Sequence, residues 1–247
     1  MRNKRFAAIV LAVGMVGSLG FTACGGGKGK DVKVQVFENE ADWLQAWEET
    51  LSATNVEINY TILNESPLSQ RFSWKERQGC LQIADEKVYG HLSGIKVETF
   101  NREGEIVEIE QDSAIESYIS RQDDSFKEYY RENYGVWECV TWPDFNFNVQ
   151  YTMSVCVNCF ELGSYVEMYS ECTVEDGYYC YSSEQEGETM SVRLQFANGK
   201  LYSCELNLSS EFEEEGLITV ETVQASMTIS YGGVTIGDIL GDESTKN

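Results

Sequence analysis

The sequence predicts an α+β fold that is mostly β: a curved antiparallel sheet with helices packed on its concave face. Three observations carry that expectation. Runs of alternating apolar and polar residues recur along most of the chain, in the period-2 pattern of half-buried strands. Two stretches break that period and set apolar side chains three and four residues apart, as helices do. Turn-forming residues fit between the alternating runs at short intervals.

Composition allows such a fold and narrows its partners. The chain has 247 residues, of which 42% are hydrophobic, and it holds 11 Phe, 5 Trp, 14 Tyr and only 2 Pro. That is enough to bury a core and argues against disorder. With 41 acidic and 18 basic side chains, the formal net charge is −23. Phosphate would be repelled, so nucleic acid is excluded as a partner. Adsorption to anionic lipid through a basic face is excluded for the same reason.

Residues 1–23 read as an address. Arg2, Lys4 and Arg5 make a basic head, and Phe6 to about Gly20 is apolar. That middle is shorter than the ~20 residues a membrane-spanning helix needs, so the segment is a secretory signal. Without it the chain carries 15 basic side chains against 41 acidic. Thr22-Ala23-Cys24 resembles the lipobox of bacterial lipoproteins, with Phe21 where Leu is usual. The resemblance implies a diacyl or triacyl anchor on Cys24. It places the protein on the extracytoplasmic face of the cytoplasmic membrane of a Gram-positive-type bacterium. Residues 24–32, rich in Gly and Lys, form a flexible tether. Residues 33–247 lack an internal Pro- or Ser-rich linker and read as one domain.

Asp31–Phe37 alternates Val32, Val34 and Val36 and predicts a strand. Asn39–Thr54 changes period. Leu44, Trp47 and Leu51, with Trp43 one turn before Trp47, predict an amphipathic helix capped by Asn39. Asn55–Leu63 alternates again through Val56, Ile58, Tyr60 and Ile62. Further strands are expected over Leu68–Glu76, Cys80–Ile83, Lys87–Leu92, Ile95–Phe100 and Glu105–Gln111. Turns are expected between them at Glu65–Pro67, Gln78-Gly79, Ala84–Glu86, Ser93-Gly94 and Arg102–Gly104.

Ser113–Tyr134 predicts a second helical zone. Ser113-Ala-Ile-Glu116 has the form of a capping box, Ile115, Tyr118 and Ile119 form a stripe, and Asp123–Ser125 breaks the zone in two. Phe145–Val157 then gives the strongest strand signal. Phe145, Phe147, Val149, Tyr151, Met153, Val155 and Val157 occupy every odd position. A strand of this length with one apolar face belongs in a large antiparallel sheet. Val166, Met168, Cys172 and Val174 predict a neighbouring strand.

Thr189–Ala197 and Lys200–Leu208 predict a hairpin. A two-residue Asn198-Gly199 turn would oppose Leu194 to Ser203, whereas a three-residue loop with a bulge at Gly199 opposes Leu194 to Tyr202 and Val192 to Cys204. The second keeps apolar with apolar and is the expectation. Leu217–Tyr231 and Val234–Ile236 close the series of strands.

This order of elements behind a lipobox resembles the LolA/LppX-like lipoprotein fold. The tail carries the resemblance most closely: Val192–Leu201, with its Phe196-Ala-Asn-Gly-Lys-Leu201 hairpin, and Ala225–Ile236, with Ile229-Ser-Tyr-Gly-Gly-Val234. The resemblance implies an incomplete barrel with helices across its open face, an apolar cavity between them, and binding of a lipid or other apolar ligand without catalysis. Trp43, Trp47, Tyr118, Phe147, Val149, Tyr151 and Met153 would line that cavity. The same residues could instead meet in a solid core. The protein would then be a surface module for a protein or peptide, using exposed tyrosines such as Tyr179 and Tyr181. Either way a monomer is expected, with no cofactor.

The remaining chemistry is sparse. After Cys24 come Cys80, Cys139, Cys156, Cys159, Cys172, Cys180 and Cys204, an odd number. One to three disulfides are expected among the last five, in an exported protein. Cys156-Val-Asn-Cys159 has no second such pair to complete a zinc site, and His91 is the only histidine. Ser93-Gly-Ile-Lys96 lacks the companion motifs of serine acyl-transfer enzymes. No nucleotide or nucleophile-elbow motif occurs, and no catalytic or metal-ligating residue is assigned. Glu211–Glu215 reads as a solvated loop.

Overall fold

Strand alternation organises the molecule into one antiparallel sheet. The computed structural model describes residues 33–65, 74–102, 105–157, 159–185, 187–214 and 217–237. The signal segment, Cys24, the tether and parts of the Glu65–Pro67 and Arg102–Gly104 turns lie outside the described residues. In chain order the elements are β1 (Val34–Gln35), α1 (Glu40–Leu51), β2 (Val56–Glu65), β3 (Trp74–Ala84), β4 (Lys87–Arg102), β5 (Glu105–Gln122), β6 (Ser125–Glu132) and β7 (Glu138–Trp142). They continue with α2 (Val149–Cys156), a 3₁₀ helix (Leu162–Glu171), β8 (Thr173–Glu175), β9 (Tyr178–Gln185), β10 (Glu188–Ala197), β11 (Lys200–Glu214) and β12 (Leu217–Tyr231). The sheet order is β7-β6-β5-β4-β3-β2-β12-β11-β10-β9-β8, with β1 beside β10. It is not closed into a barrel, and the fold is α+β, mostly β.

The register puts one set of side chains on one face. Ile58 lies opposite both Ile229 and Leu81, Val88 opposite Ile83 and Ile119, and Cys204 opposite Met227 and Leu194. These residues are buried in one cluster with Trp43, Trp47, Val149, Met153 and Tyr165 from the helices. The helical layer therefore covers this face, the inner one.

Helix α1 starts where expected. The Asn39 side chain accepts from the Asp42 amide at 3.0 Å. The buried stripe is Trp43, Ala46, Trp47 and Thr50, at the i, i+3, i+4, i+7 spacing of one helical face. Leu44, expected in that stripe, is 44% exposed. Two side chains bind the helix to its surroundings. Trp43 Nε1 donates to the Val166 carbonyl at 2.7 Å, and Thr50 Oγ1 accepts from the Leu201 amide at 2.9 Å.

Two expectations exchange places. Ser113–Tyr134 is not helical: it forms the end of β5 and all of β6, with a turn at Asp123-Asp124. The apparent helical stripe arises because β5 carries apolar residues on both faces. Ile119 faces the core, while Tyr118 sits in a second cluster with Ala84 and Ile236 on the outer face. The segment Val234–Ile236, expected as a strand, instead packs there without strand structure. Asn55 holds it, donating to the Val234 carbonyl at 3.0 Å and accepting from the Val234 amide at 3.1 Å.

Conversely, Phe145–Val157 is not a strand. Asn148 Oδ1 accepts from the Tyr151 amide at 2.9 Å and caps α2. Val149, Met153 and Val157 are both alternate-position residues and an i, i+4, i+8 series, so they share a helix face. Val155, between them in the alternation, is exposed. Val166 and Met168 belong to the 3₁₀ helix rather than to a strand.

Strands β3 and β4 run straight through the turns expected at Gln78-Gly79 and Ser93-Gly94. Gly79 lies opposite Tyr60, whose ring rests where a Cβ would be, 2.3 Å away. A Cβ on Gly94 would meet the Glu76 carbonyl at 2.0 Å. Both glycines therefore serve close approach, not chain reversal.

The β10–β11 hairpin obeys the pairing principle by a different route. Asn198 and Gly199 form a two-residue turn with φ of 53° and 74°, the primed geometry such hairpins prefer. Ala197 pairs with Lys200, and a bulge then skips Tyr202, so Leu194 faces Cys204 and Val192 faces Leu206. The expected bulge at Gly199 sits three residues further on.

Candidate functional site

The expected cavity residues divide between two clusters, with Tyr118 apart from the other six. Trp43 and Trp47 are 0% exposed. Their ring centroids are 5.7 Å apart, and Phe196 lies 5.0 Å from the first and 5.6 Å from the second. Tyr179 packs 4.8 Å from Trp43, and its hydroxyl accepts from the Phe37 amide at 2.6 Å. Five aromatic side chains, Phe37, Trp43, Trp47, Tyr179 and Phe196, thus interlock at 4.8 to 6.4 Å between α1 and the sheet. Edge-on and tilted packing of this kind fills space as a protein interior does. Val149 and Met153 join the same core from α2.

Phe147 and Tyr151 belong to another part of the same cluster, in an aromatic group with Phe126 and Phe145. Phe147 is the one expected lining residue that borders the open cleft of about 550 Å³ at this end of the sheet. Its other walls include Phe126, Phe145, Asn146, Asp85, Glu86 and Arg121. Arg121 spans the cleft's own charges, 3.4 Å from Glu86 Oε1 and 5.6 Å from the Phe126 ring centre. Tyr118 belongs to neither group, being on the opposite face. Six of the seven residues thus share one packed cluster, and Tyr118 does not. Tyr179, expected as an exposed contact, is core. Its place opposite Leu194 in the β9–β10 ladder explains why. That ladder was the missing signal, because the alternation of Tyr179 and Tyr181 gains meaning only against Leu194 and Val192.

No family model and no curated protein matches the chain.

The functional surface must then be sought in the geometry. Among the described residues no disulfide joins the cysteines, against the expectation of one to three. Burial pushes Cys156 and Cys159 up to about 12, and Cys172 to about 11, so these thiols stay protonated and unreactive. Among the described residues no group of three or more His, Cys, Asp or Glu is placed to hold a metal ion. No described helix is long and apolar enough to cross a membrane. Lys96, of the Ser93–Lys96 motif, is paired with Glu132 and lies over the Trp74 ring.

The most open apolar surface lies around β7. Among the described strands only β6 pairs with it, so one side of its backbone faces outward. Glu138 to Thr141 are exposed, with Val140 at 43%. The preceding turn exposes Tyr134 at 68% and Val136 at 88%. On the inner side of this edge two carboxylates are held by neutral donors. Tyr130 donates to Glu138 at 2.5 Å, and Trp142 Nε1 donates to Glu128 at 2.9 Å. The Glu138 hydrogen bond also raises the Tyr130 hydroxyl above its ordinary range. Neither donor neutralises the charge.

Proposed function

We propose that the chain is a lipid-anchored, extracytoplasmic interaction module that binds an extended peptide segment of a partner protein along β7. The interlocked rings of Trp43, Trp47, Phe37, Tyr179 and Phe196 carry this reading. They fill the space in which an apolar ligand would otherwise sit. An edge strand with outward-facing backbone is the natural template for an added strand. The carboxylates of Glu128 and Glu138, in a chain of net charge −23, favour a segment that alternates basic and apolar residues. Cys24 would hold the module at the outer face of the membrane, and no turnover chemistry is assigned.

Two measurements test the reading. In calorimetry, an alternating Lys/Val peptide should bind the protein, weaken with added salt, and weaken severalfold in Glu138→Gln. An alternating Glu/Val peptide should not bind. Equal binding of both peptides, or of neither, removes the edge as the site. Solvent extraction and mass spectrometry of the purified protein should find no stoichiometric non-covalent lipid besides the acyl anchor on Cys24. A non-covalently bound lipid at one per chain would overturn the module and restore a lipid carrier.

A further inference from the structure

A row of reactive side chains crosses the outer face, away from both the core and β7's inner side. The β3–β4 register sets Cys80 opposite His91, the β4–β5 register sets His91 opposite Glu116, and the β5–β6 register sets Glu116 opposite Arg131. Directly opposed residues share a face, with Cβ atoms about 4.5–5.5 Å apart. Cys80 and His91 are both half-exposed. Glu116 is fixed from two sides: Arg131 Nε donates to Oε2 at 2.5 Å, and the Tyr89 hydroxyl donates to Oε1 at 3.1 Å. Tyr89 in turn feels Cys80, Glu116 and Arg131 together, which places all four in one electrostatic neighbourhood.

Thiol, imidazole and immobilised carboxylate in that order form the sequence of nucleophile, base and orienting group. His91 is the chain's single histidine, so no other cysteine has this neighbour. The cleft of about 550 Å³ lies elsewhere, at the Phe147 end of the sheet. The row is thus suited to a reaction at an open surface rather than to turnover in a pocket.

We propose that Cys80, with His91 as its base, is a thiol-exchange site that forms a mixed disulfide with small-molecule disulfides. The thiol proton passes to the imidazole. The thiolate attacks one sulfur of the disulfide, and a new sulfur–sulfur bond forms as the old one breaks. The departing thiolate takes the proton back from the imidazolium and leaves as a thiol. Cys80 is oxidised, the departing sulfur is reduced, and the disulfide is the oxidant. Glu116, held by Arg131 and Tyr89, orients the imidazole. The other charged group near Cys80 is Glu57, diagonally across β2, which accepts from Gln82 at 2.8 Å. This site is independent of whatever β7 binds.

The test uses the full chain and Cys139 as an internal reference, since Cys139 is exposed and lies opposite Tyr129 rather than a histidine. Folded protein is treated with glutathione disulfide between pH 6 and 9, and each thiol's modification rate is read by peptide mass spectrometry. Cys80 should react about tenfold faster than Cys139 at pH 7. His91→Gln should remove that advantage while leaving the Cys139 rate unchanged, and in denaturant the two rates should converge. A Cys80 rate at or below that of Cys139 in the folded wild type overturns the proposal without any variant. So does an unchanged ratio in a folded His91→Gln protein.

Discussion

Thr152 sits fully buried on α2, and its hydroxyl has no hydrogen-bond partner among the described residues. A buried hydroxyl without a partner costs roughly 1–3 kcal/mol. Thr152→Val keeps the shape and removes the cost, so chemical denaturation should show a gain of about 1 kcal/mol. Trp47 carries a similar orphan, its indole N–H, but the ring is locked among its neighbours and cannot be traded for a smaller one without a void. At Gly79 the opposite holds. The Tyr60 ring occupies the position of a Cβ, and the ring is fixed in the core. Gly79→Ala should destabilise the protein by about 1–3 kcal/mol, read as a lowered denaturation midpoint.

At the scale of elements, the sequence was legible wherever one face of a segment was wet and one dry. Strand β2 and helix α1 stand where their periods put them. It misled where a segment met two apolar environments or where two periods coincided. Tyr118 looked helical because Ile236 covers the outer face of β5, a contact from more than a hundred residues away. Val149, Met153 and Val157 satisfied period 2 and period 4 at once, and the local signal that separates them was the Asn148 cap. That cap should be decisive for a helix of eight residues. Asn148→Ala is expected to cost about 1 kcal/mol, and hydrogen exchange should show the first turn of α2 opening before the rest. In the β10–β11 hairpin the demand for apolar pairing was legible, but not which residue would be skipped. Tyr202 leaves the ladder beside Leu201, whose amide and carbonyl bind Thr50 and Tyr231. Tertiary partners, invisible in the hairpin's own sequence, fix the bulge.

The whole molecule should be sensitive to alkali. Thiols ordinarily titrate near 9, and burial pushes Cys156 and Cys159 upward to about 12. Cys204 shifts upward for the same reason. The folded state therefore binds these protons more tightly than the unfolded state. Their contribution is complete below pH 9 and is lost as pH rises from there towards 12, by up to about 1.4 kcal/mol per pH unit for each buried thiol. Thermal melts should fall steeply across that window, and Cys204→Val should make the fall shallower. A flat profile between pH 9 and 11 would contradict the placement of these thiols. Of the candidate site, the aromatic residues were legible as a group, but their packing was not. Period reports which face is dry, and it does not report whether opposing dry faces touch.

The sheet order also sets when the protein can be finished. Strands β2 to β7 each pair antiparallel with the next in sequence, and so do β8 to β12. The β2–β12 pairing is remote, joining Val56 to Tyr231 and Glu65 to Thr222, as is the short β1–β10 pairing of Val34 with Ala197. Each half is a local meander, and the seam between them closes over most of the chain's length. Loop closure on that scale is slow compared with hairpin formation. As the chain emerges from synthesis or export, β2 must wait with an open hydrogen-bonding edge until the last strand arrives. The acidic Glu57 on that strand would help keep its edge from pairing with another molecule in the interval.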